Sequence, residues 1–365
     1  MGGSDGAGGV ADCTAPQISV LATDQTAIHG IAFDDANVYW SNFDVLENQG
    51  QIRRISKAGG PVVVISNITK LAPEELAVDG TQVYWYTRGS ADLNGVSYPE
   101  VKVYSVPKGG GNSPKTELAS VFNARGTGLA LDSDRVYWST TEDRILSVPK
   151  GGNAGPTIVL AQNSGFNLAR RSVAVDADRA YWMEGAVDIL SIPKSGGAMP
   201  TVLATLPPDA VLFTTDAKRI YWGDISLGHV SSMPKGGGAP KVLVSGEDQV
   251  LGIAVNSSCV FWLASAGNQL HVRAASKNGG PATTIAPGVL STNYVVAADE
   301  THGNDPILCS ECRKDEGDNE FRADRVDASC TCTYSPGNGK PDIGCSCTMT
   351  AACKVTFPSC CPQLD

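Results

Sequence analysis

Short apolar runs recur along the chain, bounded by glycine, proline, aspartate or lysine, and they follow one order that repeats six times. The first run is of the kind Gly128-Leu129-Ala130-Leu131, and the second ends in an aromatic pair, as in Val136-Tyr137-Trp138. The third reads Ile145-Leu146-Ser147-Val148-Pro149-Lys150, and the fourth is of the kind Thr201-Val202-Leu203-Ala204. Runs this short between turn-forming residues predict β-strands, which we label a to d within each repeat. In strand b the side chains alternate, so the tyrosine faces one side of the sheet and the valine and tryptophan face the other. Both faces need cover, which a sheet obtains when it is sandwiched between two like it.

The register of the repeat is strict. All six tryptophans, Trp40, Trp85, Trp138, Trp182, Trp222 and Trp262, follow Tyr39, Tyr84, Tyr137, Tyr181, Tyr221 or Phe261. Six residues before each stands Asp34, Asp79, Asp132, Asp176, Asp216 or, in the last copy, Asn256. Downstream comes a lysine (Lys57, Lys108, Lys150, Lys194, Lys235 or Lys277) with a glycine pair, and then a proline (Pro61, Pro114, Pro156, Pro200, Pro240 or Pro281) that opens strand d. Asp and Lys-Gly-Gly mark hairpin turns, and a proline suits an outermost edge strand, where a missing N–H costs least. Four strands per period of 40 to 53 residues predict an all-β chain folded as a six-bladed β-propeller. An extra d-like run, Ile18 to Ala22, and an extra a-like run, Tyr294 to Asp299, keep seven blades as the alternative.

The Tyr137-Trp138, Tyr181-Trp182 and Tyr221-Trp222 pairs, each six residues past an aspartate, resemble the YWTD repeats of low-density-lipoprotein-receptor propellers. With the Val-Pro-Lys-x-Gly-Gly element the pattern resembles more closely the secreted bacterial YWTD-like propellers of unassigned function. The resemblance covers residues 18 to about 300 and implies the propeller fold. The pair that follows tryptophan in that family is here Ser41-Asn42, Tyr86-Thr87, Ser139-Thr140, Met183-Glu184, Gly223-Asp224 and Leu263-Ala264, so only Asp224 keeps the family's aspartate. The repeated Asp and Lys at the strand ends are expected to take over the inter-blade network, and receptor-type ligand recognition does not carry over.

The chain divides into a Gly-rich flexible linker (1–17), the propeller (18–300) and a cysteine-rich tail (301–365). The opening glycines read as the linker that follows a removed signal or a lipid-anchored cysteine upstream, which predicts an extracytoplasmic protein, secreted, periplasmic or at the cell surface. A net charge of -10 without a Lys/Arg run argues against nucleic acid, and no apolar stretch is long enough to span a bilayer. A monomer is expected.

Nine of the eleven cysteines crowd into the tail: Cys309, Cys312, Cys330, Cys332, Cys345, Cys347, Cys353, Cys360 and Cys361. A segment with so few apolar residues needs staples. Disulfides are the favoured reading. Zinc is the alternative, because Cys309-x-x-Cys312 followed by Cys330-x-Cys332 approximates a four-thiolate spacing. Nine is odd, so Cys13 is expected to bond into the tail, whereas Cys259 reads as either a buried free thiol or a partner.

Chemistry is expected on the face that carries the b-to-c and d-to-a connections. Two b-to-c segments are long, Ser41 to Gly50 and Thr87 to Glu100, and are read as loops. They offer Asn42, Phe43, Asp44, Glu47, Asn48, Arg88, Asp92, Asn94, Tyr98 and Glu100 for protein or carbohydrate contact. At the channel mouth, the residues leading into strand a are His29, Glu74, Glu75, Arg125, Arg170, Arg171, Asp209, Asp248 and Asn293. Catalytic residues are not assigned. Of the mouth residues, Glu75, Asp209, Asp248 and Asn293 carry the oxygens a calcium-dependent hydrolase or lyase would need. The leading expectation is a non-catalytic binding protein without a cofactor. The alternatives are that metal-dependent enzyme and a structural cell-surface component.

Overall fold

A computed structural model describes residue 13, residues 21–22 and 25, and the chain from 28 to 349, apart from 45–46, 94–95, 111–113, 142–143, 153–156, 163–172, 185–187, 208–209, 267–268, 290–294, 299–305, 310–312, 315–319, 326–327 and 336–341. The described residues are all-β. Six four-stranded antiparallel sheets follow one another in sequence order. Blade 1 is β1 (Ile28–Phe33), β2 (Asn37–Asp44), β3 (Gln49–Ser56) and β4 (Val63–Thr69), and blade 2 is β5 (Ala72–Val78), β6 (Gln82–Leu93), β7 (Val96–Pro107) and β8 (Thr116–Phe122). Blade 3 is β9 (Gly126–Leu131), β10 (Arg135–Thr140), β11 (Arg144–Pro149) and β12 (Ile158–Gln162), and blade 4 is β13 (Val173–Val175), β14 (Arg179–Glu184), β15 (Asp188–Pro193) and β16 (Thr201–Thr205). Blade 5 is β17 (Ala210–Thr215), β18 (Arg219–Asp224), β19 (Val230–Pro234) and β20 (Lys241–Val244), and blade 6 is β21 (Gln249–Val255), β22 (Cys259–Ala266), β23 (Gln269–Ser276) and β24 (Thr283–Val289). The predicted six blades are all present.

A two-stranded sheet follows, β25 (Val295–Ala298) with β26 (Pro306–Cys309), and it straddles the boundary expected near residue 300. β25 packs against the innermost strands on both sides of it, β21 of blade 6 and β1 of blade 1. The tail forms a sheet of β27 (Arg313–Lys314), β28 (Glu320–Arg325), β29 (Ala328–Ser335) and β30 (Asp342–Met349), whose backbone register sets Cys330 opposite Cys347 and Cys332 opposite Cys345.

The alternation read from strand b is what packs the blades. Tyr39 lies in one core with Leu76, Val83 and Trp85 of the next blade, whereas Trp40 faces its own first strand and Leu21 and Ala22. The same division recurs for Tyr137 with Trp182 and for Tyr181 with Trp222. Each tryptophan is almost fully buried, a contribution of about 2–3 kcal/mol apiece from area alone. The c-to-d turns use glycines at positive φ, such as Gly59, Gly196 and Gly279, which explains the repeated glycine pair.

The turn aspartates do more than close turns. Asp132 Oδ1 accepts from the backbone N–H groups of Asp134 and Arg135, while Oδ2 accepts from Tyr137 Oη at 2.6 Å and from Lys194 Nζ of the next blade at 2.7 Å. The same clasp joins Asp34 and Tyr39 to Lys108, Asp79 and Tyr84 to Lys150, and Asp216 and Tyr221 to Lys277. Asp176 bonds Tyr181 and lies 3.5 Å from Lys235. Burial opposes the charge on these carboxylates, but the bonds from lysine, tyrosine and backbone outweigh it, holding Asp132 and Asp216 at about 2 and Asp34 and Asp79 lower still. The expected transfer of the inter-blade network to Asp and Lys is therefore observed across five junctions. In blade 6, Asn256 caps its turn by accepting from the Ser258 and Cys259 N–H groups, and Phe261 has no hydroxyl to add.

Candidate functional site

The face opposite the clasps carries the b-to-c connections, and its relief is uneven. In blades 3 and 4 strand b pairs with strand c only to Thr140↔Arg144 and Glu184↔Asp188, two residues past the tryptophan, and in blade 5 the ladder stops at Gly223↔Val230. In blades 1 and 6 pairing runs to Asp44↔Gln49 and Ala266↔Gln269, four residues past it. In blade 2 it runs to Leu93↔Val96, eight residues past Trp85. At roughly 3.4 Å per residue the blade 2 hairpin extends about 20 Å further along its strand direction than those of blades 3 and 4. The segments expected to be loops are thus continuous antiparallel hairpins. The overlooked signal is Asn94-Gly95, the pair favoured in two-residue hairpin turns, between strand residues that alternate.

The candidate contact residues separate on this scaffold. Glu47 and Asn48 are exposed at the tip of the blade 1 hairpin, where Asp44 accepts from the Glu47 N–H and Asn48 takes a φ of 49°. Phe43 and Asp44 are half-buried. Arg88 is exposed at the root of the blade 2 hairpin. Asn42 and Glu100 are buried; Glu100 accepts from Ser120 Oγ at 2.6 Å and lies 3.5 Å from Lys102, so it supports the hairpin from within the blade. Asp92 and Tyr98 sit in the ladder opposite Ser97 and Ala91, and Asn94 lies outside the described residues.

At the mouth, the buried Glu74 is the organising group. Its carboxylate lies 3.0 Å from Arg88 Nη2 and 3.7 Å from His29 Nδ1, while its backbone carbonyl accepts from Ser41 Oγ at 2.5 Å. The tall hairpin is thereby tied to the inner strand of blade 1. Glu75 Oε2 accepts from the Leu129 N–H of blade 3 at 3.1 Å, and Arg125 and Asp248 are exposed. Arg170, Arg171, Asp209 and Asn293 lie outside the described residues. Of the four oxygen donors considered for calcium, the structure thus places two, Glu75 and Asp248, and no metal-binding group of three or more His, Cys, Asp or Glu occurs among the described residues.

Sequence reasoning missed a pair of matching anchors. Gln25 Oε1 accepts from Trp40 Nε1 at 3.1 Å and from Arg53 Nη1 at 2.7 Å. In blade 6, Glu247 Oε2 accepts from Trp262 Nε1 at 3.1 Å and lies 3.3 Å from Arg273 Nε. Each acceptor precedes its tryptophan by 15 residues, a spacing that was readable from the chain. The cysteine expectation is also corrected: Cys13 bonds to Cys259, 246 residues away, rather than to the tail. Both sulfurs sit in an apolar cluster with Phe261, Ala274 and Ile285, a contact between distant parts of the chain that no local pattern announces.

No protein-family model and no curated protein matches this chain. Among solved structures, it is similar to a prolyl endopeptidase, at 12% identity over 90% of this chain and 51% of that one, with a TM-score of 0.51. It is also similar to a chain of a nidogen/laminin complex, at 23% identity over 57% of this chain and 76% of that one, TM-score 0.43. A third is BamB from Moraxella catarrhalis, at 12% identity over 78% and 83%, TM-score 0.47. Likeness at these identities concerns fold alone. No helix among the described residues is long and apolar enough to cross a membrane.

Proposed function

We propose that this protein is a non-catalytic extracytoplasmic binding protein that holds a protein or carbohydrate partner on its hairpin face, against a wall built by blades 6, 1 and 2. The observation that carries the reading is the one-sided pairing: the b-to-c ladders of three neighbouring blades around the seam run further past their tryptophans than those of blades 3 to 5. A rigid ladder presents its exposed residues with little entropy left to lose, which favours binding. The Cys13–Cys259 disulfide supports an oxidising compartment.

The test shortens the wall without touching its root. Replacing residues 90–99 with Asn-Gly lets Gly89 and Glu100 close the hairpin at the height of blades 1 and 6. Ligands selected on glycan arrays and from extracytoplasmic protein fractions with the full chain should lose at least ten-fold in affinity for the shortened one. Unchanged affinity removes the wall from the site. A stoichiometric calcium-binding isotherm that Glu75→Gln abolishes would instead favour the enzymatic alternative.

A further inference from the structure

One step beyond the tyrosine–tryptophan packing, towards the hairpin face, the junction of blades 3 and 4 changes from apolar to polar. Tyr137 and Ile145 of blade 3 share one core there with Trp182, Leu190 and Ile192 of blade 4. Side chains alternate along a strand, and residues directly opposite each other share a face. Ser139, opposite Ile145, therefore continues the blade 3 wall of that core. Glu184 and Asp188, opposite each other and two residues from Trp182 and Leu190, continue the blade 4 wall. Thr127 is the residue that a bulge takes out of the β9 ladder, and its Oγ1 lies 2.9 Å from Ser139 Oγ, both hydroxyls being buried. This end of the junction thus gathers two carboxylates and two hydroxyls.

Glu184 is the anomaly among them. It is 3% exposed, and neither of its oxygens accepts a hydrogen bond. The equivalent positions in other blades make a smaller demand: Asp224 has one oxygen engaged by the Leu227 N–H at 2.6 Å, Asn42, Thr87 and Thr140 are uncharged, and Ala264 is apolar. Asp188 faces Glu184 as a like charge and accepts from Thr205 Oγ1 at 2.6 Å. A buried carboxylate without hydrogen bonds, set beside a second carboxylate, is strongly unfavourable unless a cation joins them. Donors that are all oxygen select a hard cation, and two negative charges match calcium.

We propose that Glu184, Asp188, Ser139 and Thr127 form a calcium site that bridges β9 and β10 of blade 3 to β14 and β15 of blade 4. Two carboxylates are few for this ion, so the site belongs to the weak extracellular class, with a dissociation constant of about 10⁻⁴–10⁻³ M. It stands apart from the hairpin wall and from Glu75 and Asp248 at the mouth.

Urea unfolding of the full oxidised chain across a calcium titration, at constant ionic strength, tests it. Because the ion binds only the folded state, about 10 mM calcium should lower the unfolding constant about ten-fold relative to chelator. Glu184→Gln should abolish that response, and Glu75→Gln should keep it. No response to calcium, an equal response to magnesium, or a response that survives Glu184→Gln overturns the site; a response lost in Glu75→Gln alone overturns it too, by placing the ion at the mouth. Should Glu184→Gln fail to fold, Thr127→Val decides: it removes one donor and keeps the charge, so calcium affinity should fall at least three-fold, and unaltered affinity overturns the site.

Discussion

Two regions of the ring are built from one repeat yet are held by different forces. Along the arc from blade 1 to blade 6, each junction is closed by an aspartate that caps its own turn and gathers the tyrosine of its blade and the lysine of the next. At the seam, where β25 lies between β21 and β1, blade 6 offers Asn256 and Phe261 instead, and Cys259 is bonded to Cys13. Blade 6 thus lacks both the carboxylate and the hydroxyl that the other five blades bring to the clasp. The same side of the ring carries the raised hairpins of blades 6, 1 and 2, so the departures from the repeat in closure and in relief fall together.

The arc should be the acid-sensitive region. Each clasp aspartate has a folded value below its unfolded value of about 3.9, so its contribution is complete above pH 4 and is lost as pH falls through the folded values. For Asp132 and Asp216 that window is from pH 4 to about 2. Urea midpoints should hold between pH 7 and 5 and drop steeply between 4 and 2; a flat profile would deny the clasps their role. Next in size, Trp138→Ala, at a fully buried site, should lower unfolding free energy by about 3–5 kcal/mol by urea titration. Lys194→Met should cost about 2 kcal/mol, because it leaves the Asp132 carboxylate without its cation. A double-mutant cycle with Asp132→Asn should return most of that cost as coupling, and no coupling would mean the pair is incidental. The smallest effect belongs to the Asn-Gly shortening of blade 2, which should shift stability by no more than about 0.5 kcal/mol while weakening binding. A larger loss would mark the hairpin as structural.

The blades, their strand order and even the clasp residues were legible because each is written in a local period that six copies make unmistakable. The raised hairpin was misread as a loop because length outweighed its alternation and the Asn94-Gly95 pair. Glu74 was noted only as one mouth residue among several, since its ties to His29 and Arg88 depend on how blade 2 meets blade 1. Cys259 was undecided and Cys13 was misassigned for the same physical reason: a contact across 246 residues is set by ring closure, which no window of sequence contains.

Ring closure brings Cys13 and Cys259 together from opposite ends of the propeller sequence. Proteolysis of the oxidised chain without reductant, followed by mass spectrometry of the linked peptides, tests it most directly. One linked pair is expected, joining the peptide of Cys13 to that of Cys259 and separate from all tail linkages. A Cys13 peptide joined to any tail cysteine, or a free Cys259 thiol, would contradict it.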